Sequence, residues 1–150
     1  GKELVINNMK FESVCLSVGQ HKCDIAMAGL TVKDERKEHV NFSESYYVAS
    51  QKLITLADDT TFDACADAAA VEEILKSYDA TTKIGYQNGT TAQFYVLGDA
   101  EWEFDGFAVE GKGYDNGALA VQDLINGNIN YVIIDAAPAE MIVANFNALS

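Results

Sequence analysis

The feature that most constrains the fold is a repeated arrangement in which a short apolar stretch precedes a polar turn and a helix-like segment. It occurs as "CDIAMAGL" before "TVKDERKEHV", as "TKIGYQ" before "NGTT" and "AQFYVLG", and as "NYVIID" before "AAPAEMIVANFNA". Strands that alternate with helices favour parallel pairing, because the helix supplies the crossover connection. The sequence therefore predicts an α/β fold with mostly parallel sheets and flanking helices.

Turn and capping signals predict where several of these elements end. Gly98 is predicted to be the C-cap of the second helix, and Pro138 fits the first turn of the third. Thr31 and Asp34 have the spacing of a capping box. Further helices are expected in "FESVCLSVGQH", in "VEEILKSY" and in "NGALAVQDLI", which starts at Asp115 or Asn116 and stops at Asn126-Gly127. Strands are expected in "GKELVINNM", over Ile25 to Leu30 and in "SYYVASQKLITLA".

Composition and charge limit the classes of function that the chain can have. Hydrophobic residues make up 49% of the 150 residues and charged residues 22%, which is typical of a globular protein. The net charge of −13 argues against nucleic acid as a partner, because the phosphate backbone would be repelled. The three cysteines and two histidines lack the spacing of metal ligands, so neither a metal nor a cofactor is expected.

The three turns bring complementary charges to one edge of the predicted sheet. In α/β sheets, ligands bind beyond the carboxyl ends of the strands, where helix N-termini present amide donors. The first turn carries Gly29, Thr31 and Arg36, which is the only arginine; the second spans residues 88–91; and Asp135 ends the third strand. One guanidinium with several hydroxyls suits an anion, and one carboxylate suits a cation. A free α-amino acid carries both charges on one carbon.

Three segments carry a family resemblance. They are "CDIAMAGLTVKDERKEHVNFSESYYVAS", "KIGYQNGTTAQFYV" and "YDNGALAVQDLINGNINYVIIDAAPA". They resemble the polar amino-acid-binding proteins of ABC importers, which are type 2 periplasmic solute-binding proteins, and they occur in family order. The resemblance spans essentially the whole chain, whereas the chain resembles only about the middle two-thirds of such a protein.

The resemblance implies a two-lobed protein that closes over its ligand. Residues 1–45 would form part of the first lobe, residues 46–51 a hinge strand, and residues 52–150 a second lobe that is incomplete at its C-terminal end. The implied partners are a free amino acid and the permease of an ABC importer, and the implied location is extracytoplasmic. The chain is expected to be an excised fragment, or to complete its sheets by homo-oligomer formation or strand-swapped pairing with another chain.

By the same resemblance, individual residues acquire roles at the two ends of the ligand. Arg36 would clamp the α-carboxylate through two parallel N–H bonds, with help from Thr31, Thr90 and Thr91. Asp135 would accept hydrogen bonds from the α-ammonium group. A backbone carbonyl of Gly29 or Ala28 would face the ammonium group. Phe11 would pack on the side chain or the aliphatic stem of the ligand. Gln87 and Ile134 would help to select the ligand side chain.

Each motif also has a purely structural interpretation, and two other functions are compatible with the resemblance. Arg36 in "KDERKEH" could be a solvated helix charge, Asn88-Gly89 a simple turn, and Asp135 a helix cap. The same fold serves ligand-sensing domains of receptors and a few periplasmic dehydratases. The matched cleft positions include no spare glutamate or histidine, so no catalytic residue is expected and the protein is interpreted as a binding protein and not an enzyme.

Overall fold

A computed structural model describes residues 1–149, which divide into two compact units. The first unit is Gly1–Ala49, and the second begins at Ser50. The first unit contains a 3-10 helix at Phe11–Ser13 that continues into helix α1 at Val14–Gly19, as the apolar stripe predicts. Its other regular element is the short helix α2.

Helix α2, Asp34–Lys37, starts later than the capping box predicts. Its N-cap is Lys33, whose side chain makes no capping hydrogen bond. Asp34 is therefore the first helical residue and cannot occupy the third position of a box that begins at Thr31. The predicted capping box is wrong.

Two predicted strands are absent from the first unit. Neither "GKELVINNM" nor the stretch from Ile25 to Leu30 has regular secondary structure, and the side chains of Leu4, Ile25 and Met27 are exposed. A strand needs a neighbouring strand to receive its ladder of hydrogen bonds. Residues 1–49 contain no strand, so apolar composition alone does not produce one there.

The second unit has alternating strands and helices around one sheet. Its elements are β1 at Gln51–Ile54, α3 at Ala68–Lys76, β2 at Lys83–Gln87, α4 at Thr91–Leu97, β3 at Glu110–Tyr114, α5 at Gly117–Ile125, β4 at Tyr131–Asp135 and α6 at Ala136–Ala148. The strand order is β1-β4-β2-β3. Strand β2 is parallel to both β3 and β4, whereas β1 is antiparallel to β4. The predicted α/β class with a mostly parallel sheet is confirmed.

The register brings four chain segments, one from each strand, to one edge of this sheet. Gln51, at the start of β1, is opposite Asp135, at the end of β4. Gln87, at the end of β2, is opposite Tyr114, at the end of β3. Because β2 and β4 are parallel, both deliver their carboxyl ends to that edge. Only Gln51–Ile54 of the longer predicted stretch "SYYVASQKLITLA" is a strand.

Strand β4 forms the centre of the core because both of its faces are covered. Val132 and Ile134 pack against α5 and α6, whereas Tyr131 and Ile133 pack in a cluster with residues of α3 and α4. The sequence of a strand that is covered on both faces is apolar at consecutive positions, as in "YVII". The second unit is therefore a three-layer α/β/α arrangement.

Strand β3 is not predicted from the sequence, because its "EGKGY" lacks apolar alternation. The glycines of β3 allow neighbouring side chains to pack closely against the strand. A Cβ at Gly111 would lie 2.6 Å from Cδ2 of Leu97, and one at Gly113 would collide with Oδ1 of Asn88. Small residues here let α4 and the loop that begins at residue 88 approach the strand.

A polar network joins β3 to α5. Oδ2 of Asp123 accepts hydrogen bonds from Nζ of Lys112 at 2.8 Å and from the hydroxyl of Tyr114 at 2.7 Å. Oδ1 accepts one from Nδ2 of Asn128 at 3.0 Å. The hydrogen bonds from Lys112, Tyr114 and Asn128 hold the pKa of Asp123 well below its usual range. The ionised carboxylate therefore favours the folded chain.

The variant Asp123→Asn should lower the melting temperature at pH 7, because an amide replaces a carboxylate that three donors surround. A carboxyl group whose pKa is lower in the folded state stabilises the fold above its unfolded pKa of about 3.9 and loses that contribution as the pH falls below it. The gap between variant and wild type should therefore narrow from pH 5 to pH 3. Thermal melts across that range measure it, with exposed Asp63→Asn as control. Equal melting temperatures at pH 7 would contradict the prediction.

Candidate functional site

The guanidinium of Arg36 is buried and held in place within the first unit. Arg36 is 8% exposed, and its Nη1 donates to the carbonyl oxygen of Thr31 at 2.7 Å. Its Cζ lies 5.8 Å from the centroid of the Phe11 ring, within the range of a cation–π contact. Arg36 is thus not a solvated helix charge. The structure brings together three of the predicted site residues, Phe11, Thr31 and Arg36.

A second cation in the same turn is missed by the sequence analysis. Lys33 is 2% exposed, and its carbonyl oxygen accepts the amides of Arg36 and Lys37. Lysine is rarely buried to this extent. The stretch "KDERK" resembles an ordinary charged helix surface, so no sequence signal distinguishes Lys33 from the exposed Lys37.

Gly29 has a backbone conformation that explains its residue type. Its φ of +60° lies in the left-handed region, which other residues adopt only with strain. Its amide donates to the hydroxyl of Tyr46 at 3.2 Å. Ala28 and Gly29 are both exposed.

In the second unit, the loop between β2 and α4 is held by its own hydrogen bonds. Thr90 is buried, and both its hydroxyl and its amide donate to the carbonyl oxygen of Gln87, at 2.8 and 3.4 Å. The amide of Gly89, whose φ is +75°, donates to Oε1 of Gln93 at 2.7 Å. In this arrangement Thr90 stabilises the loop, and its hydroxyl would have to rotate to donate to a ligand.

The same loop is attached to β3. The amide of Asn88 donates to the carbonyl oxygen of Tyr114 at 2.9 Å, and Gly113 leaves room for the Asn88 side chain. The segment Asn88-Gly89 is therefore a turn in a fixed position, whereas Thr91 begins α4.

The carboxylate of Asp135 is at the edge where β2 and β4 end. Asp135 is the N-cap residue of α6, yet its side chain makes no capping hydrogen bond. Instead, Oδ1 accepts a hydrogen bond from Nε2 of Gln51. The interpretation of Asp135 as a helix cap therefore does not hold. Gln51 is a neighbour that the sequence analysis missed, because the two residues are 84 positions apart and meet only through strand pairing.

Two residues expected to select the ligand side chain differ in their surroundings. Ile134 is 3% exposed and packs in the apolar cluster that covers α5 and α6, so it is a core residue. Gln87 is half-buried at the edge of the sheet. The predicted site residues fall into two groups. One sheet edge in the second unit carries Gln87, Thr90, Thr91 and Asp135. The first unit contains Phe11, Ala28, Gly29, Thr31 and Arg36.

An open groove of about 480 Å³ lies between β1 and α6. Its apolar walls include Leu53, Ile54, Ala139 and Val143. None of the predicted site residues lines it.

Three other features of the described residues bear on possible ligands and location. Cys15, Cys23 and Cys65 form no disulfide bonds. No cluster of three or more His, Cys, Asp or Glu side chains within residues 1–149 could hold a metal ion. In that same range, every helix is too short or too polar to cross a membrane.

Comparison with known proteins identifies the family. The sequence profile of the bacterial extracellular solute-binding proteins, family 3, matches residues 1–126, and the chain belongs to this family. It is 33% identical over 135 residues to the ABC transporter arginine-binding protein 1 of Escherichia coli (strain K12), an alignment that covers 90% of this chain and 48% of that protein. The chain thus spans about half the length of the curated relative, less than the two-thirds expected from the resemblance.

Solved structures agree with the fold. An ancestral arginine-binding protein bound to arginine superposes with a TM-score of 0.65 at 26% identity, covering 93% of this chain and 55% of that one. An ancestral amino acid-binding protein described as a precursor of cyclohexadienyl dehydratase gives 0.67 at 25% identity, covering 90% and 54%. Both of these structures are named as binding proteins.

Proposed function

We propose that the full-length protein binds a free amino acid outside the cytoplasm and delivers it to an ABC importer without altering it chemically. The observation that carries this proposal is the buried guanidinium of Arg36, held by Thr31 and Phe11. A guanidinium fixed in this way is preorganised for a carboxylate, the group that all free amino acids share. Membership of an extracellular solute-binding family supports the proposed location.

At the acidic end of the ligand, we assign the α-carboxylate to Arg36. Two parallel N–H bonds from a planar guanidinium match the two oxygens of a carboxylate. Thr31, whose carbonyl orients Arg36, would add its hydroxyl and amide. Thr91 would contribute from the second unit, and Thr90 would contribute after its hydroxyl rotates away from Gln87.

At the basic end, we assign the α-ammonium group to Asp135. Its carboxylate lies at the end of a buried strand and is not used as a helix cap, which supports a role toward a ligand. The backbone carbonyl of Gly29 or Ala28 would accept a further N–H from the ammonium. Both residues are exposed, and the left-handed conformation of Gly29 sets the direction of that backbone.

The strength of the charged contacts sets the affinity that this site can reach. A hydrogen bond to a charged group contributes about 1.5–3 kcal/mol, and a micromolar Kd requires about 8 kcal/mol. Four or five such contacts sum to about 6–15 kcal/mol, so contacts near the upper end of the range are needed to offset the entropy of association and the desolvation cost. A ligand that contacts both lobes would shift the protein toward a closed form, which the permease would recognise. In this proposal residues 1–45 are lobe one, 46–51 a hinge and 52–150 lobe two.

For the ligand itself we propose L-arginine. The curated relative and one of the superposed structures are both named as arginine-binding. Phe11 would pack against the aliphatic stem of the ligand, and the half-buried Gln87 would offer its amide oxygen to the distal guanidinium. The chain's excess of acidic residues also favours a cationic ligand electrostatically.

We propose binding without catalysis because the residues assigned to the ligand include no histidine or glutamate, and their one carboxylate, Asp135, is assigned to the ammonium group. The superposed dehydratase precursor is itself named as an amino acid-binding protein. Incubating the full-length protein with each ligand that it binds and analysing the products by mass spectrometry tests this. Turnover of any amino acid would overturn it.

A thermal-shift screen of the twenty amino acids against the full-length protein should show the largest rise in melting temperature with L-arginine. A ligand that binds only the folded state at 100 times its Kd stabilises it by about 2.7 kcal/mol, which corresponds to roughly 5–10 °C for a protein of this size class. Agmatine, which lacks the α-carboxylate, is the matched control and should give little shift. If none of the twenty amino acids raises the melting temperature, the proposed function is wrong.

A further inference from the structure

Gln51 occupies a position from which it controls the direction of the Asp135 side chain. It begins β1 and is paired in register with Asp135 at the end of β4. The amide of Ala136 donates to the carbonyl oxygen of Ser50 at 2.8 Å, which fixes the two backbones at this point. From there, Nε2 of Gln51 donates to Oδ1 of Asp135. Within the part of the chain that the structure describes, this is the hydrogen bond that Asp135 receives.

The other end of the Gln51 amide is unsatisfied. Its Oε1 is buried and has no hydrogen-bond partner among residues 1–149. A buried acceptor without a donor destabilises the fold. Turning the amide would not help, because its oxygen would then face the carboxylate of Asp135. The charge of Asp135 therefore dictates an orientation that reduces stability, and proteins leave a buried polar group unsatisfied chiefly where function requires it.

We propose that Gln51 is a positioning residue for the ammonium group of the bound amino acid. By holding one oxygen of Asp135, it directs the carboxylate toward the ligand, because a carboxylate has acceptor capacity beyond the one bond that Gln51 makes. A neutral amide achieves this without neutralising the charge, whereas lysine or arginine at this position would compete with the ammonium. The inference rests on the proposed function and adds a residue to it.

The test separates binding from stability in the full-length protein. Gln51→Leu should weaken L-arginine binding about three- to tenfold, measured by calorimetry. The melting temperature without ligand should change little, because removing the unpartnered Oε1 offsets the loss of the hydrogen bond to Asp135. Gln51→Met, which is unbranched, provides a second variant should leucine not be accommodated. Lys52→Met is the matched control. Lys52 is the next residue on β1 and contacts α6 through Glu140 at 2.7 Å, so the variant should bind arginine like wild type.

A second ligand shows whether Gln51 acts through the ammonium. The compound 5-guanidinopentanoate is arginine without its α-amino group, so its binding should be nearly insensitive to Gln51→Leu. An equal loss for both ligands would show general damage to the site and overturn the proposal, as would wild-type affinity for arginine in both Gln51 variants. Wild-type protein that binds no arginine would instead overturn the proposed ligand and this inference with it.

Discussion

Replacing Arg36 by lysine in the full-length protein is expected to raise the Kd for the amino acid tenfold or more. Lysine keeps the positive charge but offers a single ammonium in place of a planar pair of N–H donors. The loss of one charge-assisted hydrogen bond, about 1.5–3 kcal/mol, corresponds to roughly tenfold to 150-fold in affinity. Calorimetric titration measures the change.

The stability of this variant must be followed separately, because Arg36 also has a structural role. Its guanidinium is buried, bonds the carbonyl of Thr31 and packs over Phe11. A modest fall in melting temperature is therefore expected along with the loss of affinity. Lys37→Gln is the matched control, because Lys37 is on the same helix but is exposed and pairs with Asp34. A folded Arg36→Lys variant with wild-type affinity would show that Arg36 does not contact the carboxylate.

The second large effect is expected for Asp135→Asn, which should weaken amino-acid binding by about 30-fold. The amide has nearly the same shape as the carboxylate but removes the negative charge that faces the ammonium. Stability should change little, because Asp135 does not cap α6 and the asparagine oxygen can still accept the hydrogen bond from Gln51.

Asp67 provides a control in which stability should fall while binding is unchanged. Its Oδ1 accepts the amide of Ala70 at 2.9 Å and caps α3. Asp67→Ala should therefore cost about 1 kcal/mol of stability and leave affinity unchanged. If Asp135→Asn binds like wild type, or if it lowers the melting temperature as Asp67→Ala does without affecting binding, Asp135 is a structural residue and the proposed ammonium site is wrong.

The predicted helices of the second unit agree with the structure where a local signal marks their ends. Asn116 caps α5, Gly98 ends α4, and Pro138 lies in the first turn of α6. Predictions that depend on distant partners fail more often. The apolar stretch from Ile25 to Leu30 is not a strand, because no strand pairs with it in its unit. Strand β3 forms in spite of its glycines because it pairs with β2, and the glycines are needed because larger side chains would not fit there.

The features of the candidate site also differ in whether a local sequence signal predicts them. The residue types at Arg36 and Asp135 identify the charges that a zwitterion needs, and their positions after turns indicate an edge of a sheet. The sequence does not show that Lys33 is buried, that Ile134 packs in the core, or that Gln51 meets Asp135. Each of these depends on which segments pack together.

By itself, the sequence determined the α/β class, the helix ends of the second unit and the charged groups available to a ligand. These follow from interactions between residues a few positions apart, such as caps, turns and apolar periodicity. Only the tertiary structure decided which charges are buried and in which direction the carboxylate of Asp135 points. Strand pairing joins residues far apart in the chain, and no local pattern records the partner that a side chain meets there.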